Sequence, residues 1–282
     1  MKKFGLVIPV VLLGFTLAAC GHSDSANKST STNSSTSQSS TSQNTSTSSS
    51  SSTDAATTSG TQNQSKQLAV KKASTTSRIG QLNHQLQAAL GDIALPQADG
   101  LQKGSQNLNV RYTGNTTNYQ IFYSVGNQPS AFNAAALSKQ NPYATLKKET
   151  FSSNAQAAAQ INHIDAQANK GLPTTDLGSG LTGYADRGAG NIHLLWNEGN
   201  WSLSVHAINI ENQDPTPMAK KVVQLLNTYS LPAPNKYGQI QFDVNINPGA
   251  RDQIIKWQEQ NIVYTIEAHD PTTAIKFAAS IK

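Results

Sequence analysis

Residues 191–208 read NIHLLWNEGNWSLSVHAI. Two runs of alternating apolar and polar residues flank Gly199-Asn200, the pattern of a β-hairpin closed by a two-residue turn. Glycine fits the first turn position because it accepts a positive φ angle. Pairing outward from that turn sets Glu198 against Trp201, Trp196 against Leu203, Leu194 against Val205 and Ile192 against Ala207. The last three pairs are apolar and share one side of the pleat, as a period of two requires.

The same grammar recurs downstream. In DQIIKWQEQNIVYTIEAHDPTTAIKFAASI (252–281) a turn at Gln260-Asn261 sets Trp257 against Tyr264 and Ile255 against Ile266. Both hairpins carry W-x-E-x-N at the turn, Trp196 to Asn200 and Trp257 to Asn261. An upstream segment, 108–137, reads as strand, turn, strand, proline and an alanine-rich helix, a third copy of the unit. A Leu-Pro pair precedes each copy: Leu95-Pro96, Leu172-Pro173 and Leu231-Pro232.

Helix signals follow the hairpins. Asp214-Pro215 and Asp270-Pro271 each place a capping aspartate before a proline at a helix start, where the missing N–H costs nothing. Met218, Val222, Leu225 and Tyr229 then fall on one helical face, as do Ala274, Phe277, Ala278 and Ile281. RIGQLNHQLQAAL predicts an earlier helix ending at Gly91, and residues 153–171 predict another ending at Gly171. Ile240, Phe242, Val244 and Ile246 alternate as a further strand. The expected fold class is α+β: antiparallel β-hairpins with helices packed on one face, in repeated units forming two similar halves, 66–170 and 171–282.

Between two of these units, residues 171–190 contain Gly178-x-Gly180-x-x-Gly183, the spacing of a dinucleotide-binding loop. Such a loop must follow a buried strand and open a helix, so that the helix N-terminus meets the phosphates. Here the glycines follow a predicted helix and lead into a strand, so the context is inverted. The segment reads instead as a long surface connection, with Asp176, Tyr184, Asp186 and Arg187 as its candidate ligand-binding residues.

The N-terminus is of another kind. Lys2 and Lys3 precede an apolar run from Phe4 to Ala19, too short to span a bilayer, and small residues end it before Cys20. Leu17-Ala18-Ala19-Cys20 followed by Gly21 resembles the lipobox of bacterial surface lipoproteins of the Gram-positive type. That resemblance implies a cleaved signal peptide (1–19), a lipid on the Cys20 thiol and anchorage on the extracytoplasmic face of the cell membrane. Cys20 is the only cysteine, which excludes an intramolecular disulfide. Residues 21–65 are mostly Ser, Thr, Gln and Asn, with neither aromatic nor branched aliphatic side chains. Such a segment cannot offset its ordering entropy by burial and reads as a disordered tether with an r.m.s. reach of about 35–40 Å. The folded region is therefore expected over 66–282.

Charge narrows the partners. With Lys2 and Lys3 set aside, and one lysine against two aspartates in the tether, residues 66–282 carry +4 of the total +5. Lys66, Lys71, Lys72 and Arg78 cluster where tether meets domain and read as a solvated basic flank. No stripe of aromatic and basic residues suggests nucleic acid.

Chemistry-bearing motifs are few. No Gly-x-Ser-x-Gly, His-Glu-x-x-His or Ser-x-x-Lys occurs beyond the tether. Glu198 and Glu259 resemble a glycosidase pair, yet they recur at equivalent turns, which points to a role in the fold. The register sets His193 opposite His206 on the polar side of its hairpin, a candidate metal pair that lacks an assignable third ligand. No cofactor is expected. The last hairpin and helix also resemble a terminal module of some uncharacterised exported Gram-positive proteins. The expectation is a lipid-anchored, non-catalytic binding or structural module of the cell envelope. Its expected partners are the membrane through Cys20, and cell-wall polymer or another envelope protein. Exposed aromatics such as Tyr184 and Tyr237 are its natural contact residues. The second reading is an extracytoplasmic hydrolase.

Overall fold

A computed structural model describes residues 77–282; the signal peptide, Cys20, the tether and Lys66, Lys71 and Lys72 lie outside them. The strands are β1 (Leu108–Gly114), β2 (Tyr119–Val125), β3 (Ala144–Thr150), β4 (Thr174–Gly178) and β5 (Leu181–Gly188). They continue as β6 (Asn191–Glu198), β7 (Trp201–Ile208), β8 (Gly238–Asp243), β9 (Gln253–Glu259) and β10 (Ile262–Ala268). The helices are α1 (Arg78–Leu90), α2 (Asn154–Ala158), α3 (Thr216–Leu226) and α4 (Pro271–Ala279). This is an α+β fold with one ten-stranded mixed sheet, in the order β1-β2-β3-β10-β9-β8-β7-β6-β5-β4.

Both hairpin registers read from the sequence are present: Trp196 pairs with Leu203 and His193 with His206, while Trp257 pairs with Tyr264. Period-two alternation sends Ile192, Leu194, Trp196, Leu203, Val205, Ile255, Trp257 and Ile266 into one core. Trp196 and Trp257 are about the largest side chains sealed there, and each indole N–H needs an acceptor. The W-x-E motif supplies it. Trp196 Nε1 donates to Glu198 Oε1 at 2.8 Å, and Trp257 Nε1 donates to Glu259 Oε1 at 2.8 Å.

The two turns solve the same backbone demand unequally. Gly199 has φ 56° and Gln260, at the matching position, has φ 53°. A side chain in that left-handed region costs about 1 kcal/mol that glycine avoids. Gln260→Gly should therefore raise the unfolding free energy by about 0.5–1 kcal/mol in urea titration. An unchanged midpoint would show that the turn is not strained.

Helix ends follow the capping rules. Ser77 accepts from the Gly80 N–H and Gly91 closes α1 at φ 81°. Leu82, Leu86 and Leu90 enter the main core together with Val222 and Val223 of α3 and Phe277 of α4. Asp270 caps α4, with Pro271 as its first residue, and Phe277 meets Tyr123 edge-on at 4.8 Å.

Four expectations are corrected. The long helix over 153–171 shrinks to α2 and a 3-10 turn at Ala166–Asn169. Side chains of the sheet divert its backbone groups: the Asn162 N–H goes to Gln239 Oε1, the Ala166 N–H to Asn197 Oδ1, and Asn197 Nδ2 donates to the Ile164 carbonyl. Ala157 and Ile161 also pack on Val263, whose side alternates with that of the core residue Tyr264, so α2 and the segment after it form a small cluster separate from the main core.

The segment after the first hairpin also fails to form a helix, giving only a 3-10 turn at Ala135–Lys139. Its upstream part lies along the outer edge of β1 instead. The Asn133 N–H donates to the Val110 carbonyl, and Asn133 Oδ1 accepts from the Tyr112 N–H. An edge strand's free groups are satisfied in this way.

Residues 171–190 are no long connection. They form the hairpin β4-β5, with a bulge between Asp176 and Gly178 and a turn at Ser179-Gly180, both at positive φ. Finally, β7 and β8 run parallel, because α3 carries the chain back before β8 begins. Since β3 lies between β2 and β10, residues on either side of position 170 share one sheet.

Candidate functional site

Alternation gives the sheet a second face. In its middle, register places Asp186 beside His193, His193 beside His206, and His206 beside Asp243, a row of four titratable side chains on β5, β6, β7 and β8. Asp186 and His193 are exposed; His206 and Asp243 are half-buried. His206 Nδ1 lies 2.6 Å from Asp243 Oδ2, and Nε2 lies 2.8 Å from Asn191 Oδ1. The carboxylate fixes a proton on Nδ1. By rotating its amide, Asn191 can donate to a neutral ring or accept from a charged one. The His193 and His206 rings lie 4.8 Å apart, tilted by 33°.

An open cleft of about 340 Å³ runs along this row, bordered by His193, Ser204, His206, Gln241, Asp243 and Asp252. Ser204 precedes His206 by two residues on the same face, which invites comparison with a Ser-His-Asp relay. His206 Nε2 is instead bound to Asn191. With both nitrogens of His206 in hydrogen bonds, only the His193 ring of the pair is left to take a cation. Among the described residues no group of three or more His, Cys, Asp or Glu is arranged to hold a metal ion.

His193 is pushed below its ordinary value of 6.5, first by desolvation and then by His206, while Asp186 and Asp243 pull it up. The unfolded chain therefore binds this proton more tightly, and stability falls as pH drops below about 6.5. Because the outer edge of the ring stays in water, the effect is small. Thermal melts should show a modest loss from about pH 6.5 to 5, and His193→Gln should flatten it. An unchanged slope would assign the loss to another group.

The other sequence candidates do not converge. Asp176 Oδ1 accepts from the Gly178 N–H at 2.9 Å and shapes the β4-β5 turn. Tyr184 is buried at 8% exposure, because it pairs with Leu195, and is no free contact residue. Arg187 projects opposite to Asp186 in the alternation and reaches Asn209 Oδ1 at 3.5 Å. Tyr237 is half-buried and stacked on His163, ring centres 3.9 Å apart. Asp243 is the member of the row that sequence reasoning missed. It follows Ile240 and Phe242 with the opposite parity, a signal in the sequence, but only the parallel pairing of β7 and β8 puts it beside His206.

No known protein family, curated protein or solved structure matches this chain.

Proposed function

We propose that the chain is a lipid-anchored, non-catalytic binding module of the cell envelope. In this reading Cys20 carries the lipid, the tether sets the standoff, and the second face of the sheet meets cell-wall polymer or another envelope protein. The carrying observation is the row Asp186–His193–His206–Asp243, whose last three members border a shallow cleft, a form suited to an extended polar partner. The fold suits the task. On this reading α1, α3 and α4 cover one face in a hairpin-plus-helix repeat, β5-β6-β7-α3 beside β8-β9-β10-α4, while α2 and the segment after it cover the other face only near Val263, Gln239 and Asn197 and leave the histidine row for contact.

The test has two readouts. Cys20→Ser should abolish incorporation of a labelled fatty acid, because only the thiol can carry the thioether. Asp186→Asn with Asp243→Asn should weaken retention on isolated envelopes roughly tenfold, about 1.4 kcal/mol. Continued labelling sinks the anchor, and unchanged retention sinks the site. Release of soluble polymer fragments by the wild-type chain would favour the hydrolase.

A further inference from the structure

A second concavity lies away from the histidine row. It is a small pocket of about 150 Å³ bordered by Glu198 at the end of β6, Trp201 at the start of β7, and Leu226, Tyr229, Ser230 and Leu231 around the end of α3. Glu198, Trp201 and Tyr229 are all half-buried.

The geometry points to a binding site for a small alkylammonium group, held by the Glu198 carboxylate between Trp201 and Tyr229.

Each wall contributes a stated part. Glu198 Oε1 is taken by Trp196 Nε1, while Oε2 has no hydrogen-bond partner among the described residues. Burial raises the Glu198 pKa, with the Trp196 hydrogen bond pulling it down, so a cation beside the carboxylate would recover lost solvation. Trp201 is held in place by Gly238, where an added Cβ would come within 2.5 Å of the indole ring. Lys276 Nζ lies 5.8 Å from the Tyr229 ring centre but does not border the pocket, so the tyrosine wall there carries no resident cation. Aromatic faces with a nearby carboxylate are the chemistry that recognises organic ammonium ions. A volume near 150 Å³ is about what one benzene-sized guest fills.

The hairpin β9-β10 provides an internal contrast. Glu259 makes the same bond to its tryptophan, yet the residue paired with it is Ile262, where Glu198 faces Trp201. The W-x-E hairpin therefore forms without the indole wall, and Trp201 is particular to one copy.

The test uses the full-length chain and tetramethylammonium chloride as probe. The protein has 3 tryptophans, and two of them, Trp196 and Trp257, are sealed in the core, so Trp201 is the one a probe in the pocket meets directly. A saturable change is expected at millimolar probe, absent with sodium chloride at equal ionic strength. Glu198→Gln, whose amide oxygen can still accept the Trp196 N–H, should weaken binding at least tenfold. Tyr229→Ala should do the same, and Glu259→Gln should leave it unchanged. No saturation, an equal response to sodium, or equal loss in Glu259→Gln would overturn the proposal. If Glu198→Gln fails to fold, the half-buried Tyr229→Ala carries the test. Vesicles of phosphatidylcholine, offered to the Cys20→Ser full-length chain, separate the sources. Co-sedimentation blocked by free probe assigns a lipid headgroup; binding of free probe alone assigns a soluble or polymer-borne amine.

Discussion

Trp196→Ala should lower the unfolding free energy by about 3–5 kcal/mol, the usual cost of truncating a large buried aromatic. Trp196 is 1% exposed, pairs with Leu203 and belongs to the main core. Removing the indole empties a space that the rigid pairing of β6 with β7 cannot close. It also takes away the donor that Glu198 Oε1 accepts at 2.8 Å, leaving a half-buried carboxylate without that partner. Both effects have the same sign. Urea unfolding followed by far-UV circular dichroism measures the loss, and a cost below about 1 kcal/mol would place the indole at a collapsible rim, outside the tight core.

Asp270→Ala should cost about 2 kcal/mol, toward the upper end for loss of a helix cap. Asp270 Oδ1 accepts the Thr273 N–H at 3.0 Å and Oδ2 the Thr273 hydroxyl, while His269 Nε2 lies 2.9 Å from Oδ2. Alanine leaves the buried Thr273 and the first turn of α4 short of acceptors. Because Phe277 of that helix packs on Tyr123, loosening the cap reaches the core. Asp270→Asn, which keeps an acceptor oxygen, should recover part of the loss. Equal loss in both variants would make the carboxylate's charge, rather than the cap, the stabilising feature.

What the sequence disclosed and what it withheld divide along a physical line. Hairpins β6-β7 and β9-β10 were readable because alternation, turn chemistry and pairing lie within about twenty residues. The helix ends at Gly91 and Asp270 were readable for the same reason. Strand β3 was not, because only Ala144 and Leu146 bring it to the core before Lys147, Lys148 and Glu149 break the apolar signal. The helix over 153–171 was over-read, since alanine content cannot reveal that Gln239 and Asn197 intercept its backbone. At the candidate site the histidine pair is a hairpin-local fact. Its link to Asp243 depends on where a crossover returns the chain, and the pocket at Glu198 depends on how residues 226–231 fold back. Neither has a local signature.

The position of β3 governs when the molecule can be finished. Ala144 pairs with Ala268, and the Leu95 backbone exchanges hydrogen bonds with Lys282. Strands β1 to β3 therefore cannot receive their neighbour until β10 exists. Such distant closures slow folding, because loop entropy is lost before contact energy is gained. A ribosome releasing this polypeptide from its N-terminus would hold an open, incomplete edge at β3 until residues 262–268 emerge. Assembly waits on β10, whose arrival times the closure of the sheet.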